Sequence, residues 1–197
     1  MDLNADLGEG CGDDDALLAI VTSANIACGG HAGDEATMRH TVAVARRNGV
    51  AIGAHPGYPD RENFGRKRLD LPQAEIADFI TRQTALLMEI AAKEGAAVRY
   101  VKPHGALANV AAEDAQVAAT IVQAVRKLDP SLAFLAMPRS QLARVAADAG
   151  AQVCFEIYAD RAYTADAMLV PRSQPGAVLH DSAFAIERLR RFVQTGR

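Results

Sequence analysis

The sequence is poor in residues that mark several common classes of protein. Its 197 residues include no tryptophan and only 3 cysteines, and aromatic residues make up 5%. Cys11, Cys28 and Cys154 form no C-x-x-C pair, which argues against a zinc ribbon or a dithiol redox site and is typical of reduced thiols in a cytoplasm. Alanine, valine, leucine and isoleucine must therefore pack the core.

Basic charge and long apolar runs are also missing. The formal net charge is -3, so the composition gives no reason to expect a nucleic acid or an anionic membrane surface as a partner. No apolar run approaches the roughly 20 residues of a membrane span. Met1 leads into acidic residues, not into the basic segment of a secretory signal. We expect a cytoplasmic protein with no nucleic-acid and no membrane partner.

Several catalytic and nucleotide-binding motifs are absent from the sequence. It contains no H-E-x-x-H metal pair, no G-x-S-x-G nucleophile turn and no G-x-x-x-x-G-K-[ST] phosphate loop. Gly8, Gly10 and Gly12 do not complete the G-x-G-x-x-G dinucleotide pattern, because Asp13 occupies its last position. A conventional ATP site is not evident.

Half of the chain is apolar and 23% is charged, a globular balance that predicts a single domain over residues 1–197. Apolar periodicity alternates between strands and helices, which indicates an α/β fold with parallel pairing. The predicted strands are 2–6, 22–27, 50–54, 98–102, 132–136 and 153–158. The predicted helices are 14–20, 35–48, 72–94, 113–128 and 140–149. Two long loops, 55–71 and 159–180, have the length of functional lids.

The direction of the strand side chains favours one architecture. Asp2, Asn4 and Asp6 share one face of the first strand, and Lys102 and His104 share one face of the fourth. A doubly wound sheet would bury these groups against apolar helices at high cost. A closed barrel turns apolar residues toward the outer helices and polar ones toward the interior. We therefore predict a (β/α) barrel with its active site at the carboxyl ends of the strands.

The polar residues at these ends allow two kinds of chemistry. Aspartate, glutamate and histidine side chains can hold a divalent metal or share general acid–base work. A site of the sugar-deacetylase kind would take its metal ligands from Asp6, His31, His55 and His104.

Lys102 has two interpretations at this stage. It can anchor a substrate carboxylate or a developing oxyanion, or it can form a buried structural ion pair with Glu156 or Asp6. Any single strand-end residue is more often a cap or a hydrogen-bonding group than a catalyst. Several such residues are predicted to meet at one end of the barrel, which favours a functional site. His40 lies within a predicted helix and is not part of this group.

Five segments carry an extended pattern: DLNADLGEG (2–10), TSANIACGGHAGD (22–34), GVAIGAHPGYPD (49–60), VKPHGAL (101–107) and ADRAYTADAMLVPRSQPGAVLHD (159–181). They closely resemble the LamB/YcsF family, whose bacterial members are known as the A component of 5-oxoprolinase, and the resemblance covers essentially the whole chain. It implies a seven-stranded (β/α) barrel of the deacetylase and glycoside-hydrolase type. It also implies ATP-dependent opening of the lactam 5-oxo-L-proline to L-glutamate, together with partner subunits B and C.

The residues and the resemblance together define a predicted site. The predicted catalytic residues are Asp6, Glu9, His55, Lys102 and His104. The predicted substrate-binding residues are Asn4, Asn25, His31, Glu156, Asp160, Arg161 and Arg172. ATP is the implied cosubstrate, and a divalent metal remains open. The alternative functions are a metal-dependent deacetylase-like hydrolase and a non-catalytic scaffold subunit.

The sequence departs from the family pattern in several places. Gly30, Ala108 and Ala167 stand where the family usually carries phenylalanine, tyrosine and glycine, and the turn between Gly12 and Asp13 is shorter. The family's last strand, which ends in His-Gly-Asp-Thr-Pro, has no counterpart. We therefore expect a barrel without its seventh strand, whose exposed edges favour a homodimer or plugging by loop 159–180.

Overall fold

Strands and helices alternate along the chain, as the apolar periodicity predicts. A computed structural model describes residues 2–195. The strands are β1 Asn4–Leu7, β2 Ser23–Ala27, β3 Ala51–His55, β4 Val98–Val101, β5 Ala133–Ala136 and β6 Val153–Phe155. The helices are α1 Asp14–Leu18, α2 Glu35–Arg47, α3 Gln73–Lys93, α4 Gly105–Glu113, α5 Ala115–Leu128, α6 Gln141–Asp148 and α7 Ser182–Thr195.

The six strands form one parallel sheet in the order of the sequence, with β1 and β6 at its edges. Side chains from separated strands meet on its inner face. The Tyr100 hydroxyl on β4 donates to Asn25 on β2 at 2.7 Å, and Lys102, just after β4, reaches Asp6 on β1 at 3.0 Å. These contacts across the sheet require strong curvature. The fold is a half-barrel, an incomplete (β/α) barrel, as the sequence predicts.

The core lies between the outer face of the sheet and the helices. Leu7, Ile26, Ile52, Val101 and Phe134 supply the strand side of this core, each fully or almost fully buried. The inner face has a separate small apolar cluster of Tyr100, Ala133 and Leu135. The alternation of the strands thus sends apolar residues outward and leaves the polar ones inside, which confirms the prediction from side-chain direction.

A glycine on β3 allows the inner face to close. A Cβ atom added to Gly53 would lie 2.1 Å from Cε2 of Tyr100. The Tyr100 ring therefore packs directly on the β3 backbone, at the point where the register between β3 and β4 shifts. No other residue type leaves room for the ring there.

Four local predictions are wrong. Helix α4 begins at Gly105, in a segment where the periodicity predicts no helix, and Glu113 ends α4 instead of starting the next helix, which begins at Ala115. Strand β6 ends at Phe155, whereas the pattern predicts a strand that continues to residue 158. Strand direction places Phe155 on the face covered by helices, yet its side chain is 66% exposed at this edge of the sheet.

The helices of the structure allow one check on the predicted absence of a membrane span. Within residues 2–195, no helix is both long and apolar enough to cross a bilayer.

Candidate active site

Lys102 is the centre of a buried charge cluster at the carboxyl ends of the strands. Its Nζ lies 3.0 Å from Oδ1 of Asp6 and 3.0 Å from Oε2 of Glu156. Burial alone would lower the pKa of Lys102, but the surrounding Tyr158, Asp6 and Glu156 outweigh burial and hold the pKa well above its ordinary value. Lys102 is therefore a fixed cation at neutral pH.

Asp6 joins the lysine to a histidine. Its Oδ1 faces Lys102, and its Oδ2 lies 3.4 Å from Nε2 of His55. Burial would raise the pKa of Asp6, but the neighbouring His55 and Lys102, with a hydrogen bond from Asn25, hold it well below its ordinary value. Asp6 thus stays ionised between two basic groups.

A chain of hydrogen bonds fixes this carboxylate. The Asn25 amide donates to Asp6 at 2.8 Å and to Asn4 at 2.7 Å, and the Tyr100 hydroxyl donates to the Asn25 carbonyl oxygen at 2.7 Å. On the other side of Lys102, the Tyr158 hydroxyl donates to Glu156 at 2.8 Å. The two carboxylates that contact Lys102 are therefore fixed by further hydrogen bonds, from Asn25 to Asp6 and from Tyr158 to Glu156.

Three histidines lie beside the cluster, and two have a defined tautomer. Nδ1 of His55 lies 2.6 Å from the Lys102 carbonyl oxygen, and Nε2 of His104 lies 3.0 Å from the Phe64 carbonyl oxygen. A carbonyl oxygen only accepts, so each of these nitrogens carries its hydrogen. The opposite nitrogens, Nε2 of His55 and Nδ1 of His104, are 3.0 Å apart. Two lone pairs repel at this distance, so a proton or a metal cation must lie between them.

Glu9 completes a group that could hold a cation. Its Oε1 lies 2.9 Å from Nε2 of His31 and 3.3 Å from Nδ1 of His104. One ligand atom from each of Glu9, His31, His55 and His104 falls within 4.8 Å of all the others. Burial and the nearby His55 and His31 lower the pKa of His104 to about 2, so its ring is neutral and able to bind a metal at neutral pH. Nδ1 of His31 is buried and has no hydrogen-bond partner among the described residues.

The loop 55–71 covers these histidines. The His31 and His104 rings stack with their centroids 3.5 Å apart, and the Phe64 ring meets both edge to face at 5.5 Å. A Cβ atom on Gly65 would lie 2.8 Å from Cβ of His31, so only glycine lets the loop pass this close. Gln83 on α3 holds the start of the loop, with one hydrogen bond to Gly57 N and one to Gly57 O.

A cavity of about 550 Å³ opens over the cluster. Asp6, Glu9, His55, Lys102 and His104 all line it, as strand direction predicts for the interior of a barrel. The loops 55–71 and 159–180 both contribute to its wall, so both long loops lie at the site. A volume of this size accepts a small metabolite.

The structure brings most of the predicted site residues together. Asn4, Asn25, His31 and Glu156 contact the five predicted catalytic residues directly or through one neighbour. Arg172 lines the cavity. Arg161 lines it too, but its guanidinium donates to the carbonyls of Val170 and Ala177 within its own loop. Asp160 does not line the cavity.

His40 and Lys102 make the contacts that a purely structural role predicts for them. His40 lies on the surface and pairs with Asp15 at 2.8 Å, away from the site. Lys102 does form the ion pairs of its structural interpretation, with both suggested partners. Because these pairs lie in the cavity wall, the structural and the functional interpretations of Lys102 are compatible.

Sequence reasoning missed several residues of the site. Tyr158 and Tyr100 share strand faces with Glu156 and Lys102, so side-chain direction could have identified them. Arg66 and Arg68 line the cavity from loop 55–71, where no periodicity assigns a direction to a side chain. Phe64, with a φ of 55°, gave no signal in the sequence.

The chain is similar to known proteins in its sequence and in its fold. The LamB/YcsF family matches residues 1–197. Among solved structures, the chain is similar to a lactam utilization protein from Thermus thermophilus, with a TM-score of 0.94 and 38% sequence identity. The match covers 100% of this chain and 81% of that one.

Proposed function

Because the chain belongs to the LamB/YcsF family, we propose that it is the A component of an ATP-dependent 5-oxoprolinase. In this proposal it acts with subunits B and C to open the lactam ring of 5-oxo-L-proline, giving L-glutamate. The similar Thermus thermophilus protein is described by its role in lactam utilization, which supports a cyclic amide as the substrate class.

The main observation behind the proposal is that Asp6 contacts two basic side chains, one with each carboxylate oxygen. One of its oxygens faces the Lys102 ammonium at 3.0 Å, and the other faces the His55 imidazole at 3.4 Å, in the wall of the cavity. Ring opening adds water to the amide carbonyl carbon, breaks the bond from carbon to nitrogen and delivers a proton to the leaving nitrogen. The site offers a fixed cation for charge on oxygen and imidazoles for proton transfer.

Coupling to ATP has a physical reason in this proposal. An unactivated lactam is a poor electrophile, and transfer of a phosphoryl group from ATP to its amide oxygen makes the carbonyl carbon more electrophilic. Water then adds to this carbon, the bond from carbon to nitrogen breaks as nitrogen takes a proton, and a second water releases phosphate from the resulting acyl phosphate. The residues of this chain would then position the ring and direct water, with Glu9 or His55 as the base and Lys102 stabilising negative charge on oxygen. The family supplies the expectation that subunits B and C complete the reaction.

A coupled assay tests the proposal directly. The chain is combined with subunits B and C, ATP and 5-oxo-L-proline, and glutamate formation is measured. We expect activity only when the chain is present, and a loss of about a hundredfold or more for Lys102→Met, the scale of removing one preorganised group that stabilises an oxyanion. His40→Ala is the matched control on the surface. Equal rates for the two variants, or glutamate formation without the chain, would contradict the proposal.

A metal-dependent hydrolase is the second candidate, favoured by the facing nitrogens of His55 and His104. Backbone carbonyls fix both rings with their lone pairs toward each other, and a hydrogen bond to the far ring nitrogen is how proteins orient metal-binding histidines. Glu9, His31, His55 and His104 would hold the ion. A bound divalent ion would polarise a carbonyl oxygen or lower the pKa of a water molecule.

Metal analysis separates the two candidates. Elemental analysis of the purified chain and calorimetric titration with Zn²⁺ and Mn²⁺ would detect a site. Binding that is lost in His104→Ala and retained in His40→Ala would support it. If the chain binds no divalent ion, this candidate is excluded. A proton shared by Nε2 of His55 and Nδ1 of His104 then explains why these nitrogens lie 3.0 Å apart. A chain that binds B and C but supports no turnover would point to the scaffold alternative.

A further inference from the structure

The rim of the cavity carries arginines that the acid–histidine centre does not use. Arg66 and Arg68 come from loop 55–71, and Arg172 comes from loop 159–180. Among residues 2–195, none of these three guanidiniums has a carboxylate within ion-pair distance or forms a side-chain hydrogen bond. The wall therefore has three uncommitted cations above a centre whose own charges are paired.

Arg66 is held in place without using its donors. Its Cζ lies 4.8 Å above the centroid of the Phe64 ring, and the Phe64 carbonyl oxygen accepts from His104. Gly65 next to it is fixed to the start of α4, because its carbonyl oxygen accepts from Ala106 N at 3.0 Å. A guanidinium stacked on an aromatic face keeps its in-plane N–H groups free for a ligand.

Arg172 lies near a second guanidinium, that of Arg161. Its neighbour Arg161 is committed to the carbonyls of Val170 and Ala177. Burial, followed by the charge of Arg172, lowers the pKa of Arg161, and the charge of Asp160 offsets this shift only in part, so the two guanidiniums are close enough to repel. A bound anion would relieve this repulsion.

The acidic groups of the wall do not neutralise these arginines. Asp6 and Glu156 pair with Lys102, and Glu9 pairs with His31. Glu113 also lines the cavity but forms no ion pair among the described residues. Three free guanidiniums exceed what one carboxylate requires, and arginine is the side chain best suited to bind oxyanions with two hydrogen bonds.

We propose that Arg66, Arg68 and Arg172 form an oxyanion-binding subsite at the rim of the cavity. It takes a phosphoryl or carboxylate group of the ligand, while the reacting atoms lie at Asp6, His55 and Lys102. The inference deepens the proposed function, and its ligand class rests on that function. The subsite itself depends only on the charges and positions of the three arginines.

Direct binding of anions tests the subsite without ATP, partner subunits or turnover. The full chain is titrated by calorimetry with inorganic phosphate and, separately, with 5-oxo-L-proline. The variants are Arg66→Gln, Arg68→Gln and Arg172→Gln. The matched control is Lys67→Gln, which removes the same charge from the same loop at an exposed residue that does not line the cavity. Thermal unfolding of each variant shows that the fold is retained.

We expect each arginine variant to weaken binding of one of the two probes by about tenfold, the scale of one charge-assisted hydrogen bond, and Lys67→Gln to have little effect. Weakened phosphate binding identifies a phosphoryl group as the source, and weakened binding of 5-oxo-L-proline alone identifies its carboxylate. If neither probe binds, or if Lys67→Gln weakens binding as much as the arginine variants, the subsite is refuted. These readouts are independent of glutamate formation, so failure of the subsite and failure of the proposed function can be told apart.

Discussion

Replacement of Lys102 by methionine removes the cation from between two carboxylates. Methionine has a similar length and keeps the packing of the side chain, so the main change is electrostatic. The side chains of Lys102 and Glu156 are 5% and 6% exposed, whereas that of Asp6 is 34% exposed. The cost therefore comes chiefly from Glu156, which is left buried without its partner, and solvent screens most of the effect at Asp6.

The expected loss in the free energy of unfolding is about 3–5 kcal/mol, the usual cost of breaking a buried ion pair by removing one partner. For a chain of this size, that corresponds to a fall in the melting temperature of roughly 10 °C. Urea unfolding followed by circular dichroism measures both the midpoint and the slope. An unchanged slope would show that the denatured state is not altered.

The pH dependence gives a second readout. In the wild type, the pKa of Asp6 is held below its ordinary value and that of Lys102 above it. Stability from Asp6 is present above the ordinary aspartate pKa of about 3.9 and is lost as the pH falls through the lower folded value. Stability from Lys102 is present below the ordinary lysine pKa of about 10.4 and is lost as the pH rises through the higher folded value. Both contributions are therefore complete between about pH 5 and pH 9.

In Lys102→Met, the pKa of Asp6 rises because the ammonium group that favours its ionised form is gone. Protonation then relieves the repulsion in the variant as the pH falls, and the stability gap between wild type and variant should be smaller at about pH 5 than at about pH 8. The double variant Lys102→Met/Glu156→Gln is the control, because it also removes the buried unpaired charge and should recover most of the loss. A gap below about 1 kcal/mol, or a double variant as unstable as the single one, would refute this reasoning.

Three further predictions concern packing, backbone conformation and thiol chemistry. Gly53→Ala should lower the free energy of unfolding by about 1–3 kcal/mol, because the new Cβ would meet the Tyr100 ring; urea unfolding measures this, and a neutral result would contradict the close contact. Ala167 has a φ of 64°, so Ala167→Gly should raise the free energy of unfolding by about 1 kcal/mol, whereas Ala162→Gly in the same loop should not. Burial raises the pKa of the Cys28 thiol to about 12, so at about pH 8 iodoacetamide should label the exposed Cys11 and Cys154 in the native protein and all three cysteines in urea. Labelling of native Cys28, detected by mass spectrometry, would show that its burial is not maintained.

The direction of strand side chains predicted the core of the site from sequence. Asp6, Lys102 and His104 lie at or next to strand ends, where the period of two fixes the face of each side chain. Their placement in one cavity follows from that rule and from the need to cover the apolar face. The ion pairs of Lys102 with Asp6 and Glu156 were suggested by the same argument.

The features that the sequence did not predict lie where no periodicity fixes the direction of a side chain or the end of an element. Helix α4 starts at Gly105 with no side-chain cap, so the usual start signal is missing. The alternation of residues 153–158 continues beyond the last strand residue, Phe155, so the pattern overstated β6. Arg66 and Arg68 lie on the same loop as Gly65, whose contact with α4 is defined only by the folded loop.

The ion pairs of Lys102 also have a mechanical consequence. Asp6 belongs to β1 and Glu156 directly follows β6, and these strands are the two edges of the sheet. One ammonium group at the end of the inner strand β4 therefore braces both edges at once and sets the aperture of the half-barrel. A ligand atom that competes for the lysine would loosen one of these braces. The same three charges thus line the site and link the two edges of the sheet.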